Sequence, residues 1–532
     1  MAHSPTAVAF LLLLLLFFLS PALSLTSPSL QTASASSPKN NSTSSGSSFA
    51  LSTSFLSTLR STLDEIQKLI SVLSTFSDVL GGDLRLSSAV SDCLDLLDLS
   101  SDELSLTISA SQPSTTSTAA SAAAEGTGKR LSDLRSWLSA ALGNQDTCKE
   151  SLDGTSSVVG SLVGGGLQTV TSLVANGLRQ VPAGSGRRRL MGKASEGFPA
   201  WLSAGDRRLL QAPAGVAADA VVAQDGSGQY TTVGAAVEAA PTESTKRYVI
   251  HVKRGVYKEN VEIKKKKWNI MLVGDGMGQS IISASRNFVD GWTTYRSATF
   301  AVSGKGFIAR DLTIENTAGP SKHQAVALRS DSDLSVYYRS SFLGYQDTLY
   351  AHSLRQFYRD CLITGTVDFV FGNAAAVFQN CVLLARRPLP DQKNSVTAQG
   401  RKDPNQNTGF SLQFCNVSAD ADLAGLTNST ASYLGRPWKE YSRTVFMQSY
   451  LGGLLRPEGW LEWNGNFALD TLYYAEYMNY GPGSGLAGRV KWPGYRVLTN
   501  SADAVNFTVG QFIDGNLWLP STGVKYTSGL TA

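Results

Sequence analysis

The hydrophobic positions of this 532-residue chain fall into two regimes. Between about residues 50 and 180, apolar residues recur at intervals of three and four, the spacing that lines one face of an α-helix. Four segments carry it: "FLSTLRSTLDEIQKLISVLSTF" (55–76), "SSAVSDCLDLLDLSSDELSLTISA" (87–110), "RLSDLRSWLSAAL" (130–142) and "VVGSLVGGGLQTVTSLVANGL" (158–178). Four amphipathic helices with short connections predict an up-and-down bundle. Cys93 and Cys148 fall in separate helical regions, where a disulfide can staple them. No constellation of catalytic side chains lies here, so a folding or binding module is expected.

After residue 215 the texture changes to short β-rich runs punctuated by Gly, Asn and Asp. "VYYRSSFLG" (336–344), "QFYRDCLITG" (356–365) and "VFQNCVLLA" (377–385) place Ser341, Cys361 and Cys381 in one phase, 20 residues apart. "FIARDLTIENTAG" (307–319) and "FSLQFCNVSA" (410–419) look like the same unit with longer insertions. A short-strand repeat near 20 residues predicts a solenoid, here a right-handed parallel β-helix. A β-sandwich, the alternative, would alternate in hairpin pairs instead of keeping a fixed phase. The expected fold is therefore an all-α four-helix bundle followed by an all-β right-handed parallel β-helix. Residues one coil apart stack at about 4.8 Å, inside the Cα separation of about 4.4–6.8 Å that a disulfide needs. A Cys361–Cys381 bridge is expected on that ground, with Cys415 left as a buried thiol.

The flanking segments bear on compartment. "AVAFLLLLLLFFL" (7–19) is too short to span a membrane and is followed by small residues around Ser24, so 1–24 reads as a signal peptide. Its n-region lacks Lys and Arg. Residues 25–49 are Ser/Thr/Pro/Asn-rich and read as a disordered linker before a helical domain at 50–182. A second linker, 183–212, carries dibasic pairs at Arg188-Arg189 and Arg207-Arg208; exposed linkers concentrate proteolysis, so a processing protease is an expected partner. Residues 213–532 form the β-rich domain. Sequons at Asn40, Asn41, Asn416, Asn428 and Asn506 fit a glycosylated, secreted protein.

Composition narrows the chemistry. Five cysteines without a CxxC pair and only four histidines make a metal site unexpected, and no cofactor is called for. From residue 211 onward the net charge is +5; the preceding part carries −1. A basic secreted domain suits an acidic polysaccharide rather than nucleic acid. The run "KKKK" (264–267) belongs either to that surface or to a solvated charge cluster.

Within "GTVDFVFG" (365–372) one carboxylate, Asp368, sits among Val and Phe, where aspartate is depleted. Asp347, in "GYQDTLY" (344–350), lies 21 residues earlier, one coil away within a residue of phase. Two carboxylates that close cannot both ionise easily, so one can act as an anionic nucleophile while the other holds a proton as general acid. Turn aspartates capping strand ends would give the same spacing. No GxSxG elbow is present, and histidine is too scarce for a Ser/His/Asp triad. The glycine-rich "VGDGMG" (273–278) opens no helical pattern and reads as a turn between coils.

Six motifs in order, "GVYKE" (255–259), "QAVALR" (324–329), "YQDTLY" (345–350), "GTVDFVFGNAA" (365–375), "YLGRPWKEYSR" (433–443) and "FALDTLYYAEY" (467–477), resemble the plant pectin methylesterases. The helical region resembles the inhibitor-like pro-domain that precedes many of them, and "SAGDRRLLQ" (203–211) its processing site. One departure is that such pro-domains usually carry four cysteines, whereas this one has Cys93 and Cys148 alone. The resemblance implies hydrolysis of galacturonosyl methyl esters in cell-wall pectin by a secreted monomer, with a proteinaceous pectin methylesterase inhibitor as a further partner. It implies Asp368 as nucleophile, Asp347 as acid and then base, and Gln324 and Gln346 as oxyanion donors. Arg436 would keep Asp368 anionic, and Trp438, Tyr350 and Thr299 would join Gln324 and Arg436 in holding sugar. The competing readings are a glycosidase or lyase on the same fold, and an inert pectin-binding or inhibitor protein.

Overall fold

The computed structural model describes residues 52–77, 82–112, 126–155, 158–182 and 217–531. The expected signal peptide, first linker and both dibasic pairs (Arg188, Arg189, Arg207, Arg208) lie outside them. Four helices come first: α1 (Thr53–Ser77), α2 (Leu84–Ser111), α3 (Arg130–Asp153) and α4 (Val158–Gln180). Phe55, Leu59, Ile66, Leu69 and Leu73 form the buried stripe of α1, and Val159, Val163, Leu167, Val170 and Val174 that of α4. Asp83 caps α2, its carboxylate accepting from the Leu86 amide at 3.0 Å, which satisfies one of the amides orphaned at a helix start. Cys93 on α2 is disulfide-bonded to Cys148 on α3.

Helix α3 runs eleven residues beyond the apolar pattern at 130–142. Its second half buries Asn144, Gln145, Thr147 and Cys148. Asn144 and Gln145 donate to Ser100 Oγ on α2 at 3.2 and 2.9 Å. The helix is enclosed on several sides, so polar residues replace apolar ones where hydrogen bonds are available, and the three-and-four spacing fades.

The remainder is a right-handed parallel β-helix with three sheets along its length, of eleven, seven and eight strands, and every pairing between strands is parallel. Each run that reads as one strand in the sequence is two. Ser335–Tyr338 belongs to the eleven-stranded sheet, and Ser341–Leu343, two residues on, to the eight-stranded one. The corner between them is a residue at positive φ, recurring at Asp311 (56°), Arg339 (46°), Asp360 (53°), Asn380 (56°), Phe414 (58°) and Gln448 (50°). Only Asp and Asn favour that region by themselves; stacking of coils holds the others there.

The cysteine ladder corrects one expectation. Leu362 pairs with Val382 and Val382 with Asn416, so Cys361, Cys381 and Cys415 occupy one column, preceded by Ser340 and not Ser341. All three are free and buried; Cys361 and Cys381 are not bridged. In-register parallel strands point equivalent Cβ bonds the same way, whereas a disulfide needs them to converge. The thiols turn instead to main-chain carbonyls, Cys361 Sγ donating to Tyr337 O at 3.3 Å and Cys415 Sγ to Phe378 O at 3.5 Å.

The bundle packs on the face of the seven-stranded sheet. Its apolar core is continuous with Tyr295, Ala298, Ala301, Val326, Tyr350, Phe371 and Ala398 of the β-helix. Ion pairs ring that contact: Arg355 Nη1 with Asp133 at 2.6 Å, Lys129 with Asp514 at 2.6 Å, Lys402 with Asp146 and Lys439 with Glu150.

Candidate active site

Asp347 and Asp368 are corner residues, not strand residues. Each sits at positive φ, 62° and 51°, two residues before a strand of the seven-stranded sheet, Leu349–Ala351 and Val370–Gly372. Those strands pair Leu349 with Val370 and Tyr350 with Phe371, so the 21-residue offset is one coil and the two carboxylates share a phase. The Asp347 amide donates to Val367 O at 3.1 Å, locking the corners together. Gly372, at φ 124°, ends the second of these strands; a Cβ there would lie 2.0 Å from Ala351 O. The apolar flanks of Asp368 are accounted for by the coil: Phe369 and Val370 enter the core while the corner turns Asp368 towards the bundle-facing side.

The two acids have different surroundings. Arg436, just after the strand Ser432–Gly435, grips Asp368 with both arms, Nε to Oδ1 and Nη2 to Oδ2, each at 2.8 Å. Such a bidentate clamp stabilises the anion. Asp347 is 8 % exposed. Burial first, then the charge of Asp368, hold its carboxyl well above the usual carboxylate range, against the opposing pull of Arg436. The pair is therefore unequal: Asp368 is gripped by a cation, and Asp347 is the member whose proton is held more tightly.

Both acids line a cavity of about 430 Å³ with Gln324, Gln346, Tyr350, Arg436 and Trp438. These seven sequence-derived residues come together. Gln346 Oε1 is buried with no hydrogen-bond partner. Tyr350 stacks on Phe371, ring centres 4.1 Å apart, and Trp438 meets both edge-on. Gly400 makes room for the indole, since a Cβ there would stand 2.8 Å from Trp438 Cε3.

Thr299 does not belong to this group. It is fully buried, its hydroxyl donates to Glu315 O at 2.9 Å, and it is committed to the coil; Thr293 and Thr294 line the cavity instead. Two aromatic contributors escape the motif reading. Phe371 was accessible, being one coil after Tyr350. Trp463 stacks under Arg436 at 4.4 Å but stands on an irregular excursion of the chain, and no periodicity points to it.

The bundle supplies part of the cavity wall, through Arg85, Thr147, Glu150, Ser151 and Gly154. Thr147 Oγ1 lies 2.9 Å from His352 Nε2 and 3.4 Å from the Tyr350 hydroxyl. His352 in turn contacts Asp331 through Nδ1 at 2.7 Å. Among the described residues no group of three or more His, Cys, Asp or Glu could hold a metal ion.

A buried acid pair in a cleft along a parallel β-helix, with a helical domain packed over it, is an arrangement suited to a hydrolytic enzyme. Comparison with known proteins makes this specific. The pectinesterase family model matches residues 219–516, and that of the plant invertase/pectin methylesterase inhibitors matches 26–179. A pectinesterase/pectinesterase inhibitor of Prunus persica is 62% identical over 90% of this chain and 89% of its own length. A probable pectinesterase/pectinesterase inhibitor of Arabidopsis thaliana is 58% identical over 90% and 91%. The solved pectin methylesterase from carrot is 57% identical, covering 60% of this chain and 99% of its own, with a TM-score of 0.59. The chain belongs to the pectinesterase family, carboxylic ester hydrolases that demethylesterify pectin, and carries an inhibitor-like helical domain at its N-terminus.

Proposed function

We propose that Asp368 is the nucleophile and Asp347 the acid–base of pectin methyl ester hydrolysis, the reading carried by the bidentate Arg436 clamp on one of two neighbouring buried carboxylates. An Asp368 oxygen adds to the ester carbonyl carbon of a galacturonosyl unit. The amides of Gln324 and Gln346 donate to the resulting oxyanion; a donor of this kind is worth about 10²–10³ in rate. Collapse expels methanol as Asp347 gives up its proton, leaving an acyl–aspartyl anhydride and an ionised Asp347. Asp347 then takes a proton from water, hydroxide adds to the galacturonosyl carbonyl, and the anhydride bond breaks. The product leaves as the acid and loses its proton to solvent, while Asp368 is again an anion and Asp347 again protonated. Trp438, Tyr350 and Phe371 present aromatic surface for sugar rings.

The chain is read as the secreted precursor of a cell-wall enzyme, monomeric, cut in the dibasic linker by a processing protease and open to separate inhibitor proteins. Methanol release from esterified pectin without shortening of the polymer tests the reaction. Depolymerisation, or activity retained after Asp368→Ala, would overturn it.

A further inference from the structure

At one end of the catalytic cavity Tyr295 is shared with a second cavity of about 650 Å³, lined by Lys264, Lys265, Arg296 and Arg329, by the carboxylates of Glu238 and Glu262, and by one face of α2. Arg296 Nε lies 2.8 Å from Asp92, and its Nη2 pairs with Asp95. Lys265 Nζ lies 2.8 Å from Asp98 and 2.6 Å from Asp102. Among the described residues, every ion pair of these two cations runs to α2 and none to the β-helix that carries them. The four aspartates follow one another by three, three and four residues, which puts them in a row on one helix face. The row extends about 15 Å at 1.5 Å per residue. A single-file row of carboxylates of that length is the charge pattern of a few successive units of de-esterified galacturonan.

We propose that Arg296 and Lys265 form an anion-binding extension of the cleft that takes the free carboxylates of galacturonan already stripped of its methyl groups, and that α2 occupies it in the precursor as a stand-in for that polymer. The inference rests on the pectin-demethylating reading of the adjoining site. Unesterified units seated on the two cations would present a neighbouring esterified unit to the acid pair, so the extension favours substrate next to its own product. Removing the bundle leaves both cations without their carboxylate partners, and a polyanion that follows the track restores them.

The test uses residues 213–532, since the carrot enzyme, whose whole length corresponds to little more than half of this chain, is a folded protein without a bundle. Binding of polygalacturonate and of fully methyl-esterified galacturonan is measured by calorimetry, alongside methanol release. Arg296→Gln/Lys265→Gln should weaken polygalacturonate binding by about fivefold or more, with reduced salt dependence, and leave the esterified polymer's affinity as it was. Arg296→Lys/Lys265→Arg should retain the binding. In the full chain, Asp95→Asn/Asp98→Asn should raise polygalacturonate binding over the unaltered precursor. Unchanged polygalacturonate binding in the Gln variant, or an equal loss towards both polymers, overturns the proposal. Absence of methanol release with selective polyanion binding intact would sink the esterase reading and leave this one standing.

Discussion

Replacing Asp347 by asparagine separates its two contributions, to folding and to chemistry. Adjacent coils lie about 4.8 Å apart, and two full charges at that distance repel by about 3.5 kcal/mol at an effective dielectric of about 20. That repulsion, added to burial, is why Asp347 holds its proton. The Asp347→Asn change keeps the shape of the side chain and removes its charge. The variant should therefore unfold at the same or a higher temperature than the parent once the pH exceeds the unfolded carboxyl's value of about 3.9, because keeping Asp347 protonated, or ionising it, then opposes folding. Turnover should move the other way. An amide neither protonates the leaving methanol nor deprotonates water, and acid–base assistance is worth about 10²–10⁴ in rate, or about 3–5.5 kcal/mol of barrier. Methanol release by residues 213–532, followed across pH, is the assay. The parent's rate should fall on the high-pH side as Asp347 loses its proton, and the variant should lack that limb. A variant within tenfold of the parent, or one that keeps the limb, would refute the assignment of Asp347 as the acid.

Three further outcomes are expected. Gln346→Ala should cost about 10²–10³ in kcat with little change in KM, because its amide acts on charge that exists only in the transition state; an equal loss in both would make it a ground-state binder. Glu150→Lys on α3 places a cation against Lys439 and Lys402; both partners of the Lys439 pair are partly exposed, so docking weakens by about 1 kcal/mol. The full chain should then release methanol about three- to tenfold faster, and no rise would show that the bundle does not limit access. Asp92 titrates at about 6, raised by burial from 3.8 against the pull of Arg296, the hydroxyls of Thr293 and Ser151, and Arg329. A carboxyl raised in the docked state binds a proton that the separated bundle releases. Docking should thus tighten as pH falls through about 6, level off near 4, and gain up to about 3 kcal/mol. Affinity of bundle for β-helix in linker-cut protein, compared at pH 7.5 and 5, checks the sign; a flat or inverted dependence refutes it.

The parts of this structure legible from sequence are those governed by repetition. Helical stripes in α1 and α4, and the 21-residue step from Asp347 to Asp368, follow from periods that the chain writes out directly. Three features were not legible, each for a physical reason. The coil corners hold Phe414 and Gln448 at positive φ, where residue preference gives no warning because stacking overrides it. The Cys361–Cys381 spacing allowed a bridge by distance, but distance does not carry the direction of Cβ. Thr299 lies within a residue of the strand Phe300–Val302, where one step of phase separates the cavity from the interior. The carboxylate row of α2 was visible as letters, yet its partners, Lys265 and Arg296, are remote in sequence and meet it only through the docking of two domains.

That docking has a consequence that no single contact states. In the intact chain, bundle and β-helix are joined through residues 183–216, so their association is unimolecular and independent of how much protein is present. A tether of this kind holds its ends at an effective concentration in the millimolar range. Cutting it alters none of the ion pairs, yet it changes the order of the equilibrium. Dilution then decides whether the cleft is open. One hydrolysed peptide bond would turn a fixed internal state into one set by how far the protein is diluted.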